Sequence, residues 1–509
     1  MADGTRSRLK TALTLLAFTV LAVMIHGYHY GIEDEAIYLP AIKKIIDPSL
    51  YPRSSEFFMG QARGTALPWI VAGIARITHG SLPWIVLLMH FVSIYVFLLG
   101  CWMIAVRSFP LARQVWAAVA MITALLTLPV AGSNIYLADQ HLHPRTLACA
   151  LILIATALTL DRRRFACSAA CVSAALIHPL MALYGIAFVI VLWLPLERWK
   201  VWGSAPSGGP KLRSVSAISF VMLLMVAIPF IAHPTAAWRE ALATREYYTL
   251  RNWEWYEWLG VIAPMFIVWW LERAAERTRL GALATLLRRL NVYAAIMLVV
   301  TLAIALPRAA DFLWPLQPAR YLHTVYVLMI MSAAGLLAHN RVLAVAAATV
   351  VLAVVMCVVQ FAEFGPLSGT SHIDFPSRAN KNAWVEAFLW ARDHTSKDAY
   401  FALDPEYMRY SDNYGFRALA ERGQVADISK DAGVVTVSPQ LADEWKREVD
   451  ALRGFDRFTA ADFARLRRDF GVDWVIVRDA SFPPAGLECP FQMPSHLSVG
   501  AAVCHTPLG

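Results

Sequence analysis

Three consecutive acids, Glu33, Asp34 and Glu35, follow an apolar run that ends near Gly27 and precede the amphipathic stretch beginning at Ala36. Carboxylates at the mouth of an apolar bundle lose solvation, which suits them to proton transfer or cation binding. Three of them in a row disfavour full ionisation unless a cation or an arginine stands nearby. The same residues would also cap a helix starting at Ala36 through the helix dipole, and capping and chemistry can coexist.

A second constellation, Asp139, His141 and His143 with Arg145, alternates as an extended segment would. Asp-x-His-x-His could place ligands round a divalent metal, but no further ligand lies within reach, so contact with donor or acceptor is preferred and no metal is assigned. His178 before Pro179 puts a titratable ring at a turn between two apolar runs, where it serves a site or ends a helix. Tyr247, Tyr248, Trp253, Trp255, Tyr256 and Trp258 could stack on a sugar ring, although such residues concentrate at membrane interfaces regardless of function.

The elements positioning these residues are membrane spans. The chain is 58% hydrophobic and 16% charged, against roughly a quarter charged in soluble domains. Its net charge of +8 sits mostly in short loops beside apolar runs, so orientation explains it and nucleic acid is not called for. Candidate spans begin at Thr11, Leu82, Gln114, Pro144, Phe165, Leu180, Val215, Trp258, Val292, Leu322 and Val342, about eleven in all. Arg6, Arg8 and Lys10 before the first run read as a retained signal anchor with the N-terminus in the cytoplasm. Arg107, Arg113, Arg162 to Arg164, the segment Arg198 to Arg213, Arg273 to Arg289 and Arg341 then all fall inside, provided Thr65 to Ile77 does not cross but lies at the interface or re-enters. The loops 28–81, 133–143, 233–257 and 308–320 are then outside.

After Val359 the composition turns polar through Gly365, Pro366, Ser368 and Gly369. The expected organisation is a membrane domain over 1–364, with interfacial helices in its first outer loop, and a small extracytoplasmic α/β domain over 365–509. Its expected elements are helices near 380–394, 440–452 and 459–470 and strands near 399–403 and 472–477. Cys489 and Cys504 would close a disulfide if this region is exported, and would be free thiols if it is not. The other five cysteines lie in apolar runs and read as small hydrophobes.

The order Asp34, Glu35, Ala36, then Tyr38 and Ala41, in the first outer loop after an N-in first span, resembles the GT-C fold glycosyltransferases. The nearest pattern is that of protein O-mannosyltransferases and lipid A aminoarabinose transferases. The matched stretch is about 15 residues long, and topology supplies the rest of the likeness. Glu33 is an additional acid that departs from the family pattern and leaves open which carboxylate is the base.

The resemblance implies inverting transfer of a sugar from a polyprenyl-phosphate donor to an extracytoplasmic glycan, lipid or protein at a bacterial inner membrane. Asp34 is then the base and Glu35 orients it or the acceptor. Glu33, Tyr38, Asp139, His141, His143 and His178 are substrate contacts, and Arg245, Arg251 and Arg320 are candidate cations for the phosphate. Two neighbouring readings are a polysaccharide polymerase or ligase and, in another class, a transporter, flippase or non-catalytic membrane scaffold. Mid-span charges and paired broken helices, which a transporter would need, are sparse in this sequence.

Overall fold

The computed structural model describes residues 2–194, 235–364, 370–478, 486–494 and 499–507. The expected span from Val215, the arginine-bearing segment Arg198 to Arg213 and the Gly365 to Gly369 boundary lie outside these residues.

Among the described residues, six helices are long and apolar enough to cross a membrane: Ser7–His26, Leu82–Ser108, Trp255–Arg277, Gly281–Ala305, Ala310–Leu337 and Val342–Glu363. The spans expected from Pro144, Phe165 and Leu180 are shorter apolar helices, Pro144–Leu160, Arg164–Ile177 and Pro179–Trp193. The one expected from Gln114 is a 13-residue helix, Ala112–Ala124. The apolar run here continues through Leu125, Leu126 and Leu128, where the backbone has already left the helix for a small β-hairpin. That hairpin pairs β1 (Pro129–Val130) with β2 (Ile135–Tyr136). The outermost of the long helices, Val342–Glu363, buries little beyond Val345, Met356 and Gln360 and exposes Leu343, Val350, Val351 and Val358, a surface that only lipid would solvate.

Thr65 to Ile77 contains a helix, Leu67–Thr78, of 12 residues, too short to cross. It buries Val71, Ala72 and Ala75 and exposes Trp69, Ile70 and Ile77, the two-faced pattern of a helix lying at an interface. It packs against the Glu35–Ile46 helix, which is buried almost along its whole length.

The C-terminal region builds a five-stranded sheet in the order β4-β3-β5-β7-β6, from Tyr400–Leu403 (β3), Gly423–Gln424 (β4), Trp474–Arg478 (β5), Phe491–Met493 (β6) and Ala501–His505 (β7). β3 runs parallel to β4 and β5, whereas β7 runs antiparallel to β5 and β6. Residues alternate between the sheet faces: Phe401, Leu403 and Ile476 pack with Trp384 and Phe388, while Ala402, Val475 and Val477 pack with Phe463 and Leu466. The first flanking helix, Ala383–His394, is capped by Asn382, whose side chain accepts the N–H groups of Trp384 and Val385. The helix Ala460–Phe470 starts from a capping box of Thr459 and Asp462 and stops at Gly471, whose φ of +66° suits a residue without Cβ. Cys489 and Cys504 are joined as a disulfide at this sheet, with the other five cysteines free.

This region and the segment 28–81 share their cores. Ile37, Ile42, Phe57 and Phe58 pack in one cluster with Ala418, Val434, Val435 and Trp445, and Ile32 and Ala36 pack in another with Phe388 and Phe416. Tyr28 forms a bridge to Ile373 and Ile32 to Tyr414, and the Gly415 N–H donates to Gly31 O at 2.9 Å. A Cβ on Gly415 would lie 2.3 Å from that of Ala36, so glycine permits this approach.

Candidate active site

Two backbone reversals shape the acidic loop. Gly31 has a φ of +86° and Glu33 one of +47°, and the chain enters the Glu35–Ile46 helix directly after Asp34. Asp34 stands at the N-cap yet makes no capping bond with its side chain, so its carboxylate is available to other groups. Helix capping therefore does not account for it.

Glu35 points the other way. It is 2% exposed, and its carboxylate accepts the N–H of Gly31 at 2.6 Å and the N–H of Leu142 at 2.9 Å. Burial pushes it up to about 8 in spite of those two bonds. It does not line the main cavity but ties the acidic loop to the Asp139–His143 loop, a place from which it meets Asp34 only through the backbone.

That tie brings His143 to Asp34. His143 caps the Pro144–Leu160 helix, its Nδ1 accepting the Arg145 N–H at 2.8 Å. In the neutral ring Nε2 then carries the proton and donates it to Asp34 Oδ2 at 3.0 Å. Burial and the nearby Arg145 hold His143 below its usual range, which keeps this tautomer neutral. The second Asp34 oxygen, Oδ1, accepts from Lys430 Nζ at 3.1 Å, and the same ammonium reaches Glu33 Oε2 at 2.6 Å. Although burial opposes the charge on Asp34, Lys430 and His143 outweigh it and hold this carboxyl well below the usual range.

Asp139 is occupied. Arg145 grips both of its oxygens, and Thr146 Oγ1 donates to Oδ2 at 3.1 Å. Among the described residues no three His, Cys, Asp or Glu side chains are grouped as an ion site. Asp139 is held by Arg145 and Thr146, and His143 by Asp34 and the Arg145 N–H.

Asp34, Glu33, Tyr38, Asp139, His141, His143, His178, Arg245 and Arg320 all line one cavity of ≈ 970 Å³. Tyr38 Oη accepts from Gln61 at 2.9 Å and its ring meets His143 edge-on. His178 caps the Pro179–Trp193 helix through Met181 N–H, and the buried His141 Nε2 has no hydrogen-bond partner. Arg251 is exposed and absent from the lining, so the sequence-based grouping of Arg251 with the other cations is corrected. It sits in a short 3₁₀ turn, Leu250–Asn252, which faces it outward.

The cations differ in their pairing. Lys430 holds Glu33 and Asp34, Arg145 holds Asp139, and Arg245 donates to Ser429 O at 2.6 Å. Arg320, 9% exposed, makes no ion pair among the described residues, and its Nε has no hydrogen-bond partner. The cavity thus keeps unmatched positive charge at Arg320 and Arg245, the condition for holding an anion. Leu180, Leu183 and Ile186 supply an apolar wall, and the lining reaches Tyr256, which is 58% exposed on a membrane-length helix beside the exposed Trp255 and Leu259.

Lys430 is the residue that the sequence reading missed. It lies 396 positions from Asp34 in a polar segment with no motif, and only the shared core brings it back.

No family profile and no curated protein matches the chain. Among solved structures, an oligosaccharyltransferase of Archaeoglobus fulgidus matches in three states. Tethered to an acceptor peptide with an NVT sequon it aligns with a TM-score of 0.48, in complex with an inhibitory peptide and a dolichol-phosphate with 0.49, and in the apo form with 0.42. Each match is at 13% identity and covers 92% of this chain and 69% of the other. At that distance the likeness transfers neither substrate nor catalytic residue.

Proposed function

We propose that this protein is an integral membrane glycosyltransferase that moves a sugar from a polyprenyl-phosphate donor to an extracytoplasmic acceptor. One observation carries the reading: the Asp34–His143 pair and the unpaired Arg320 face a single cavity with an apolar wall that opens toward a lipid-type surface at Tyr256. A lipid-linked anion fits this division, with its phosphate on Arg320 and Arg245 and its first isoprenes along Leu180, Leu183 and Ile186. The acceptor hydroxyl would approach the Asp34 lone pairs left by Lys430 and His143.

In the transfer step the bond from the acceptor oxygen to the anomeric carbon forms as the bond from that carbon to phosphate oxygen breaks. Asp34 takes the hydroxyl proton, and polyprenyl phosphate leaves with the bonding electrons onto Arg320. A carboxylate held this far down is a weak base toward a resting alcohol. It becomes competent late, once the oxocarbenium-like centre has begun to draw electrons from the attacking oxygen.

The orientation also belongs to this proposal. Arg107 pairs with Asp161 at the ends of the Leu82–Ser108 and Pro144–Leu160 helices, and the latter begins beside His143. Placing Arg107 in the cytoplasm sets the Asp34 cavity and the C-terminal sheet outside, with a bacterial inner membrane as the setting.

The test is transfer in proteoliposomes from farnesyl-phosphoryl hexoses to a panel of sugar, lipid and peptide acceptors. Wild-type protein should turn over at least one donor, and Asp34→Asn should be inactive while inserting normally. Full activity in Asp34→Asn removes the assignment.

A further inference from the structure

Lys430 is the one ammonium in the cavity lining that comes from the C-terminal sheet region, and its placement is costly to build. Glu33 turns through a left-handed φ of +47°, with its N–H on Asn413 O at 3.0 Å, and this turn sends the neighbouring acids to the same point. Lys430 Nζ meets both there, with only 14% of its side chain exposed.

The backbone behind Lys430 is fixed from below. Asp427 Oδ1 accepts the Lys430 N–H at 2.6 Å and the Asp431 N–H at 3.2 Å, while its Oδ2 accepts from Gln424 at 3.0 Å. Asp431 accepts two bonds from Arg417, at 2.7 and 2.9 Å, and Arg417, Asp427 and Asp431 are all buried. Trp445 Nε1 closes the group on Asp427 O at 2.9 Å. A solvent-exposed ion pair needs no such scaffold, because water and side-chain freedom leave it little to fix. Here each Asp427 oxygen is committed to holding the segment that ends in Lys430.

We propose that Lys430 is a positioning residue of the reaction centre: its ammonium holds Glu33 and Asp34 together and fixes which Asp34 lone pair faces the cavity. This role rests on the transferase reading above. Lys430 acts through Asp34, with Oδ1 on the ammonium and Oδ2 on His143, so the C-terminal region completes the site as well as covering it. Without the ammonium, adjacent carboxylates at one half-buried point would repel each other, and Asp34 would spend more of its time as a neutral acid.

Dicyclohexylcarbodiimide reacts with protonated carboxyls in apolar surroundings, so it reads that difference directly. Full-length protein in nanodiscs is treated at pH 7 and the labelled residue is located by tandem mass spectrometry, which separates Asp34 from Glu33 and Glu35. Asp34 should label slowly in wild type and in Lys430→Arg, and at least tenfold faster in Lys430→Met of unchanged melting temperature. Equal Asp34 labelling in wild type and Lys430→Met overturns the proposal. If Lys430→Met does not insert, Lys430→Gln, compared with and without Glu33→Gln, carries the same test: the single variant should label faster and the added substitution should slow it. Titration with farnesyl phosphate on the same samples reports on the transferase reading separately. Wild-type protein that fails to bind it removes the donor assignment, whatever the labelling shows.

Discussion

The two charged ends of the cavity are built on opposite terms. Around Asp34 each charge has a partner: Lys430 and His143 on the carboxylate, Arg145 and Thr146 on Asp139. Around Arg320 the guanidinium has no acid and its Nε no acceptor. The first end is organised before any substrate arrives, as a group acting on a developing charge should be. The second carries the cost of an unpaired buried cation, which persists where a ligand supplies the counter-charge.

Substitutions at the two ends should therefore fail differently. Asp34→Asn has the largest expected effect: transfer from a farnesyl-phosphoryl hexose should fall by about 10²–10⁴-fold, the range for removing a general base, with farnesyl phosphate affinity nearly unchanged. Arg320→Ala should do the reverse, weakening farnesyl phosphate binding about 10–100-fold by calorimetry, the worth of one or two charge-assisted bonds. Equal loss of binding in both variants would erase the distinction between the ends.

Acidity sharpens the comparison. Asp34 is held below its ordinary value, so its share of stability is complete above about pH 4 and is lost as the pH falls through the lower folded value. Burial opposes the charge on Lys430, but Asp34 and Glu33 outweigh it and hold the ammonium above its ordinary value, so its share is complete below about pH 10 and lost above it. The share that Asp34 and Lys430 contribute should accordingly be level between pH 5 and 9, read as the difference in amide-exchange protection of residues 413–431 between wild type and Lys430→Met. Glu35 has the opposite sign: with its folded value pushed up to about 8, the native state binds the extra proton and stability declines from about pH 4.5 to 8. The wild-type melting temperature should drop by roughly a few degrees over that interval, and Glu35→Gln should flatten the slope. The smallest effect belongs to Arg251→Ala. Being exposed and outside the cavity, it should leave binding and transfer within about twofold.

Much of this was legible in the sequence. Asp34, His143 and Arg320 could be grouped because the expected topology puts their loops on one face, and the structure brings those three to one cavity. The shortness of the Leu67–Thr78 helix was legible in its brief apolar run. Three things escaped for physical reasons. Hydropathy marks apolar runs but not where the backbone stops being helical, hence the 13-residue Ala112–Ala124. Adjacent carboxylates look equivalent along a chain, yet one helical step turns Asp34 toward the cavity and Glu35 into backbone N–H groups. Lys430 had no local signal, since it matters through a tertiary contact only.

The shared core of the segment 28–81 and the C-terminal region also sets an order of events during synthesis. Ile37, Ile42, Phe57 and Phe58 emerge early, but Val434, Val435 and Trp445, which cover them, are made only after the last membrane-length helix. For most of translation the growing chain therefore carries an unfinished apolar surface. The acidic loop acquires its final shape as one of the last steps of maturation, so a ribosome-bound chain holds its acids without yet holding the lysine that organises them.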